Sequence, residues 1–410
     1  MKLAKGSKII MVPYPAQGHV TPMLKLPVMV TPAYIHRQVM FGSRAEHIPD
    51  KVSWIPLSDG TNNDNNETKQ QRDFFAIEAS MENDMPGQLE QVIGKLKVEV
   101  EDENCGRLVC LVVDLLASWA IDVGRRCGVH VAGFWPAMFA TYRFITAIPE
   151  MIKNGLISAD TARFLFWTKT FNRSTTLQWL LVNSFPEEYI NIDNCHHKQQ
   201  EVEDHSYVFP IGPLSNHSKT KNLSLWEEDN SCLEWPDKQN PNSVIYISFG
   251  SWVSPIGEEK VKDLAVAIEA FGKPFIWVLG SSGREGLLLK ILILRIPKKV
   301  SKQGKMVSWA PQMEILEHRA LGCYLTHCGW NSTMEAIRCR KRLLCYPING
   351  FGQIDIEEGL KKVKEEDNEM SKRLEKLHEK TWGKRLFREV SLISIPFLIG
   401  SRNLTFKPFL

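Results

Sequence analysis

Short runs of β-branched and aliphatic residues alternate with longer mixed segments along most of the chain. "KIIMVPYP" (Lys8 to Pro15), "RLVCLVVD" (Arg107 to Asp114), "VHVAGFW" (Val129 to Trp135) and "WLLVNSF" (Trp179 to Phe185) show little polar alternation. That is the pattern of buried parallel strands, covered on both faces, and each run ends in a polar or glycine-containing loop. A further apolar run, Pro27 to Val30, reads as a strand very soon after the first. A parallel crossover needs roughly 10 to 12 residues including its helix, so three helical turns and a loop do not fit between these two. After "YVFPIGPL", a stretch rich in Asn, Ser and Lys, about Ser215 to Asn242, reads as a linker. A second series follows: "SVIYISFG" (Ser243 to Gly250), "KPFIWVLG" (Lys273 to Gly280), "KMVSWAP" (Lys305 to Pro311), "GCYLTHC" (Gly322 to Cys328) and "RLLCYPI" (Arg342 to Ile348). The pattern predicts an α/β protein of two doubly wound domains joined near residue 230. The charged segment "IDIEEGLKKVKEEDNEMSKRLEKLHEK" predicts one long helix.

Composition narrows the class. At 410 residues and 43% apolar, the chain is long enough for two ordinary buried cores. Its net charge of +3 is a small difference between 50 basic and 47 acidic residues, with neither sign in a long block. Neither nucleic acid nor an anionic membrane is implied as a partner. The apolar run Ile9 to Val12 is too short for a signal segment, and "CLVVDLLASWAIDV" is broken by Asp114. No membrane span is therefore expected. Nine cysteines, an odd number in a long chain, fit reduced thiols and a cytoplasmic location.

Ligands of open α/β sheets bind beyond the carboxyl ends of the strands, so the residues just after each strand carry the candidate chemistry. His19, in the loop after the first strand beside Gly18, is either an inert loop histidine or a general base. Asp114 ends the third run, and is either the cap of the next helix or the partner that orients His19. Gly329 lets the chain turn after "YLTHC", and "NSTMEAIR" starts a helix whose first N–H groups suit phosphate. Ser332 and Glu335 also match a capping box by spacing. Metal sites are not expected. Cys323 and Cys328 would point to opposite faces of one strand, and His196 and His197 sit in a polar loop with no matching ligands. No Asp-x-Asp pair occurs to hold a diphosphate through a divalent ion. "GSSGREG" lacks dinucleotide-fingerprint spacing, which argues against a nicotinamide enzyme.

The string "WAPQMEILEHRALGCYLTHCGWNSTMEA", Trp309 to Ala336, closely resembles the signature box of plant family 1 UDP-glycosyltransferases. "PAQGHVTP", "LLVNSFPEE", "FPIGPL", "CLEWPDKQNPNSVIYISFGS" and "VSKQGKMVSWAPQ" resemble other blocks of that family in the same order. The resemblance implies the GT-B fold, two Rossmann-like domains facing a central cleft. Residues 1–230 would bind the acceptor and 231–380 the UDP-sugar, with 381–410 returning toward the first domain. It implies that Trp309 stacks on uracil with Ala310 and Gln312 near the base edge, and that Glu335 accepts the ribose hydroxyls. It further implies that His327, Asn331, Ser332 and Ser251 hold the diphosphate and that Trp330 borders the sugar. His19 would deprotonate the acceptor, steadied by Asp114, in one inverting step without a metal or other cofactor. UDP-glucose or another UDP-sugar is a co-substrate in that scheme, and the acceptor a small hydroxylated molecule of flavonoid, phenolic, terpenoid or hormone class.

The chain departs from the family pattern in places. The family box ends in an Asp-Gln pair that contacts the sugar, whereas "YPINGFGQIDIEEG" has no such Asp, and Gln353 aligns with the family Gln only through an insertion. The first crossover and the segment "LISADTARFLFWTK" are shorter than in the family, and "LLLKILILRI" (Leu287 to Ile296) is apolar where a polar loop is expected. The alternative function is therefore a catalytically impaired family member that at most binds UDP.

Overall fold

The computed structural model describes residues 8–24, 29–32, 54–58, 74–98, 108–157, 162–185, 187–188, 207–214, 228–250, 258–279, 303–346, 353–364 and 368–382. The first half runs β1 (Lys8–Val12), α1 (Gln17–Met23), β2 (Met29–Pro32), β3 (Trp54–Leu57), α2 (Phe74–Asp84), α3 (Pro86–Val98), β4 (Leu108–Asp114), α4 (Trp119–Arg126) and β5 (His130–Trp135). It continues through α5 (Phe139–Thr146), α6 (Ile148–Lys153), α7 (Ala162–Ser174), β6 (Trp179–Val182) and β7 (Tyr207–Pro210). These seven strands pair in parallel in the order β3-β2-β1-β4-β5-β6-β7.

The second half runs β8 (Val244–Ser248), α8 (Glu258–Phe271), β9 (Phe275–Val278), β10 (Gly304–Val307), α9 (Gln312–Glu317), β11 (Leu321–Thr326), α10 (Trp330–Arg338), β12 (Arg342–Cys345), α11 (Gln353–Lys364) and α12 (Asn368–Trp382). Its five strands are also parallel, in the order β10-β9-β8-β11-β12. Both sheets thus repeat one plan. The chain winds outward from a first strand, then returns to build on its other side.

Helices cover both faces of the first sheet, which is why its strands read as unbroken apolar runs. Ile10, Val12, Leu111 and Val113 pack with Met81, Leu89 and Trp119 on one face. Ile9, Met11, Cys110 and Val112 pack with Val20, Met23 and Phe134 on the other. In the second half, Ile247, Leu264 and Trp277 form one core with Leu360, while Tyr246, Tyr324 and Leu316 form another.

Several sequence expectations are corrected. The strand expected at Pro27 to Val30 is β2, Met29–Pro32, and the crossover before it holds only the two turns of α1. Strands β3 and β7 were not foreseen, because Pro56 and Pro210 lie within them. Both are edge strands, where a missing amide hydrogen costs no ladder bond. The charged segment forms two helices, α11 and α12, rather than one. The end of the expected linker is packed: Asn230–Cys232 and Pro236–Lys238 form short 3₁₀ turns, and Cys232 is fully buried beside Leu233 and Trp235. Three apolar side chains in a polar stretch anchor it to the core. The run Leu287 to Ile296, the pair His196 and His197, "GSSGREG" and residues 383–410 lie outside the described residues.

Candidate active site

An open parallel sheet binds ligands where its strand order reverses, because two adjacent loops there diverge and leave a crevice. In the first sheet the reversal lies between β1 and β4, and in the second between β8 and β11. Residues leaving β1, β8 and β11, with Pro136 and Ala137 after β5, line one cavity of about 330 Å³. Gly18 and His19 contribute from the first half, and Trp309, Gln312, His327 and Glu335 from the second.

His19 sits in the first turn of α1 rather than in a loop. Its Nδ1 lies 2.7 Å from Asp114 Oδ2, with His19 partly exposed to the cavity and Asp114 fully buried behind it. Asp114 also accepts from the Leu116 amide through Oδ1 at 2.9 Å. Both readings of this aspartate are therefore realised, one on each oxygen. With Nδ1–H donating to Asp114, the Nε2 lone pair is left to take a proton, and the buried carboxylate favours the resulting imidazolium. Tyr14 sets its ring edge-on to His19, centroids 5.5 Å apart, which limits rotation of the imidazole.

Across the cavity, the chain leaves β11 by a bend at Cys328, whose φ of +62° lies in the left-handed region. Gly329 was expected to supply that turn, but it is the helix cap, with φ −55°. Glycine is needed there for space: a Cβ at Gly329 would lie 2.4 Å from His327 Nε2. One at Gly250, itself at φ +78°, would lie 2.7 Å from the same ring. Two glycines thus hold open the slot for His327. Burial pushes the His327 pKa below its ordinary value, so the ring is neutral at neutral pH and offers one N–H. The sign of the linkage follows. A histidine whose folded pKa is lowered costs stability as pH falls through its ordinary value near 6.5, since the unfolded chain binds the proton first. Thermal unfolding between about pH 7 and pH 5 is expected to show a steeper loss for the wild type than for His327→Asn.

Helix α10 begins at Trp330 with Gly329 as its cap and no side-chain cap bond. The capping-box reading of Ser332 and Glu335 is therefore not realised, since Ser332 already lies inside the first turn. Gln312 Nε2 instead donates to Glu335 Oε2 at 2.6 Å and to Ser332 Oγ at 3.2 Å. Trp309 and Ala310 flank this cluster. Ser251 lies outside the described residues, as do residues 347–352, and Gln353 opens α11.

Two side chains of α10 also bridge the cleft. Trp330 Nε1 donates to Asn183 O at 2.6 Å, and the indole lies beside Phe185. Asn331 Nδ2 donates to Gly18 O at 2.8 Å. That carbonyl is free to accept because residue 22, four positions on, is a proline without an amide hydrogen. Sequence reasoning missed this bond, the buried Asn183 and the tyrosines behind Gln312. The Gly-x-x-x-Pro spacing was the signal for the first, and the tyrosines read as ordinary core alternation.

Comparison with known proteins bears on this arrangement. A family model described as "UDP-glucoronosyl and UDP-glucosyl transferase" matches residues 152–365. UDP-glycosyltransferase 82A1 of Arabidopsis thaliana is 41% identical over 484 aligned positions, covering 98% of this chain and 100% of the relative. Since the chain has only 410 residues, that alignment carries gaps on its side. Among solved structures, Os79 from O. sativa in complex with U2F and trichothecene superposes with a TM-score of 0.72 at 22% identity, covering 95% of this chain and 100% of that one. Medicago truncatula UGT71G1 complexed with UDP-glucose gives 0.68 at 20% identity, with 96% and 98% covered.

Proposed function

The chain belongs to the plant family 1 UDP-glycosyltransferases, with the GT-B fold, and from that premise we propose that it transfers a hexose, most simply glucose, from a UDP-sugar to a hydroxyl of a small acceptor with inversion. The observation that carries the reading is the His19 and Asp114 pair at one strand-order reversal, opening onto the same cavity as the loop and helix of the other.

In this reading His19 Nε2 takes the proton of the acceptor hydroxyl as its oxygen bonds to the anomeric carbon. The bond from that carbon to the UDP oxygen breaks on the opposite face, and the electron pair leaves with UDP. Asp114 stabilises the imidazolium, and acts as a positioning group rather than as a proton acceptor. The neutral His327 N–H, Asn331, Ser332 Oγ and the uncapped amides of α10 meet the charge on the diphosphate, which makes UDP the better leaving group. Trp309 offers a flat apolar face for uracil with Ala310 and Gln312 at its edge, Glu335 takes the ribose hydroxyls, and Trp330 borders the sugar. Ser251 joins the diphosphate set on sequence similarity alone. The scheme uses no metal and no other cofactor. The acceptor in this reading carries a flavonoid, phenolic, terpenoid or hormone hydroxyl; Pro136 and Ala137, which line the cavity, directly follow Trp135, whose ring packs with Tyr142 and Trp167. The seven cysteines among the described residues are unpaired, in keeping with a cytoplasmic enzyme.

Thermal unfolding with UDP and, separately, with UDP-glucose tests the reading. Either ligand at about 100 times its dissociation constant is expected to add roughly 2.7 kcal/mol of stability. Equal or greater stabilisation by UDP-glucose supports a working sugar site. Stabilisation by UDP alone, without turnover, favours the impaired relative, a reading that the missing Asp-Gln pair keeps in play.

A further inference from the structure

Gln312 is held from behind. Tyr324 Oη lies 3.0 Å and Tyr246 Oη 3.4 Å from its Oε1, so two hydroxyls converge on the carbonyl side of the amide. Both tyrosines are fully buried on neighbouring strands, with rings 4.8 Å apart, and of the two Tyr246 is among the residues that line the cavity. Burial pushes the Tyr324 pKa up to about 12 and the Tyr246 pKa well above its ordinary value. Both hydroxyls therefore stay protonated and able to donate.

An amide has one accepting end and one donating end. With Oε1 turned toward the tyrosines, Nε2 must face the cavity side, where it donates to Glu335 and Ser332. One oxygen of Glu335 is thereby held by Gln312. The chain of contacts runs from Tyr324 on β11, through Gln312 at the start of α9, to Glu335 on α10.

Resting on the donor-site reading above, we propose that Tyr324, supported by Tyr246, is a positioning residue that sets the nucleotide's ribose specificity. It fixes the direction of the Gln312 amide and through it the Glu335 carboxylate, so that the site distinguishes UDP from 2′-deoxy-UDP.

The test is calorimetric titration of UDP and of 2′-deoxy-UDP into the wild type, Tyr324→Phe, Gln312→Ala and the double variant. The wild type is expected to prefer UDP. Tyr324→Phe is expected to weaken UDP roughly three- to tenfold, the size of one neutral hydrogen bond, and to weaken 2′-deoxy-UDP less, so the preference shrinks. In the Gln312→Ala background the same substitution is expected to change nothing further, because its effect passes through that amide. Equal weakening of both nucleotides, or an undiminished effect without Gln312, overturns the proposal and leaves the donor-site reading intact. A wild type that binds neither nucleotide overturns the donor-site reading itself. Should Tyr324→Phe not fold, Tyr246→Phe takes its place, with a smaller shift in the same direction expected from its longer contact; no shift there overturns the proposal.

Discussion

Replacing His19 by alanine is expected to lower kcat/KM for sugar transfer by roughly 10²- to 10⁴-fold, the usual contribution of a positioned general base. In barrier terms this is about 3 to 5.5 kcal/mol. UDP affinity is expected to stay within about twofold of the wild type, because His19 belongs to the first half and the nucleotide residues to the second. Titration of UDP and initial rates with UDP-glucose on the same preparation separate the two effects. Turnover that survives the substitution sinks the base assignment. Asp114→Asn is a finer probe. An amide keeps an oxygen for the Leu116 amide, so the local fold is retained, but it no longer stabilises a charged imidazolium. Its rate is expected to fall below the wild type with unchanged UDP binding, whereas a purely capping Asp114 would leave the rate untouched.

Glu335→Ala is expected to act on binding instead. A carboxylate accepting hydroxyl hydrogens contributes about 1.5 to 3 kcal/mol for each charge-assisted bond, so loss of the side chain is expected to weaken UDP roughly 100-fold. The loss also strips Gln312 Nε2 of its closest acceptor, at 2.6 Å. Glu335→Gln is expected to be intermediate, since its carbonyl still accepts while its charge is gone. If alanine there leaves the UDP dissociation constant unchanged, Glu335 is no ribose ligand and its bond to Gln312 is internal structure only.

The central strands and most of the residues that line the cavity were legible in the sequence. Parallel strands buried on both faces leave unbroken apolar runs, and those of β1, β4, β5, β8 and β11 stand out for that reason. Edge strands β3 and β7 lack that signature because one side faces no neighbour and proline is tolerated there. The break between α11 and α12 was hidden because charge pattern and helix propensity continue across it. At the site, His19 and Asp114 were found by their place after strands. Their contact depends on β1 and β4 being neighbours, which local pattern does not report. Residues that act from beneath, such as Tyr324 and Asn183, look like any other buried position until the fold brings their polar ends together.

The Asn331 bridge to Gly18 has a kinetic meaning as well. One donor hydrogen of that amide holds the turn bearing His19, and the amide belongs to the helix end that faces the cavity. Trp330, its neighbour, grips Asn183 on the same first half. Any motion that spreads the cleft must break both bonds together, and it would carry the turn bearing His19 away from α10. The two jaws share one catch.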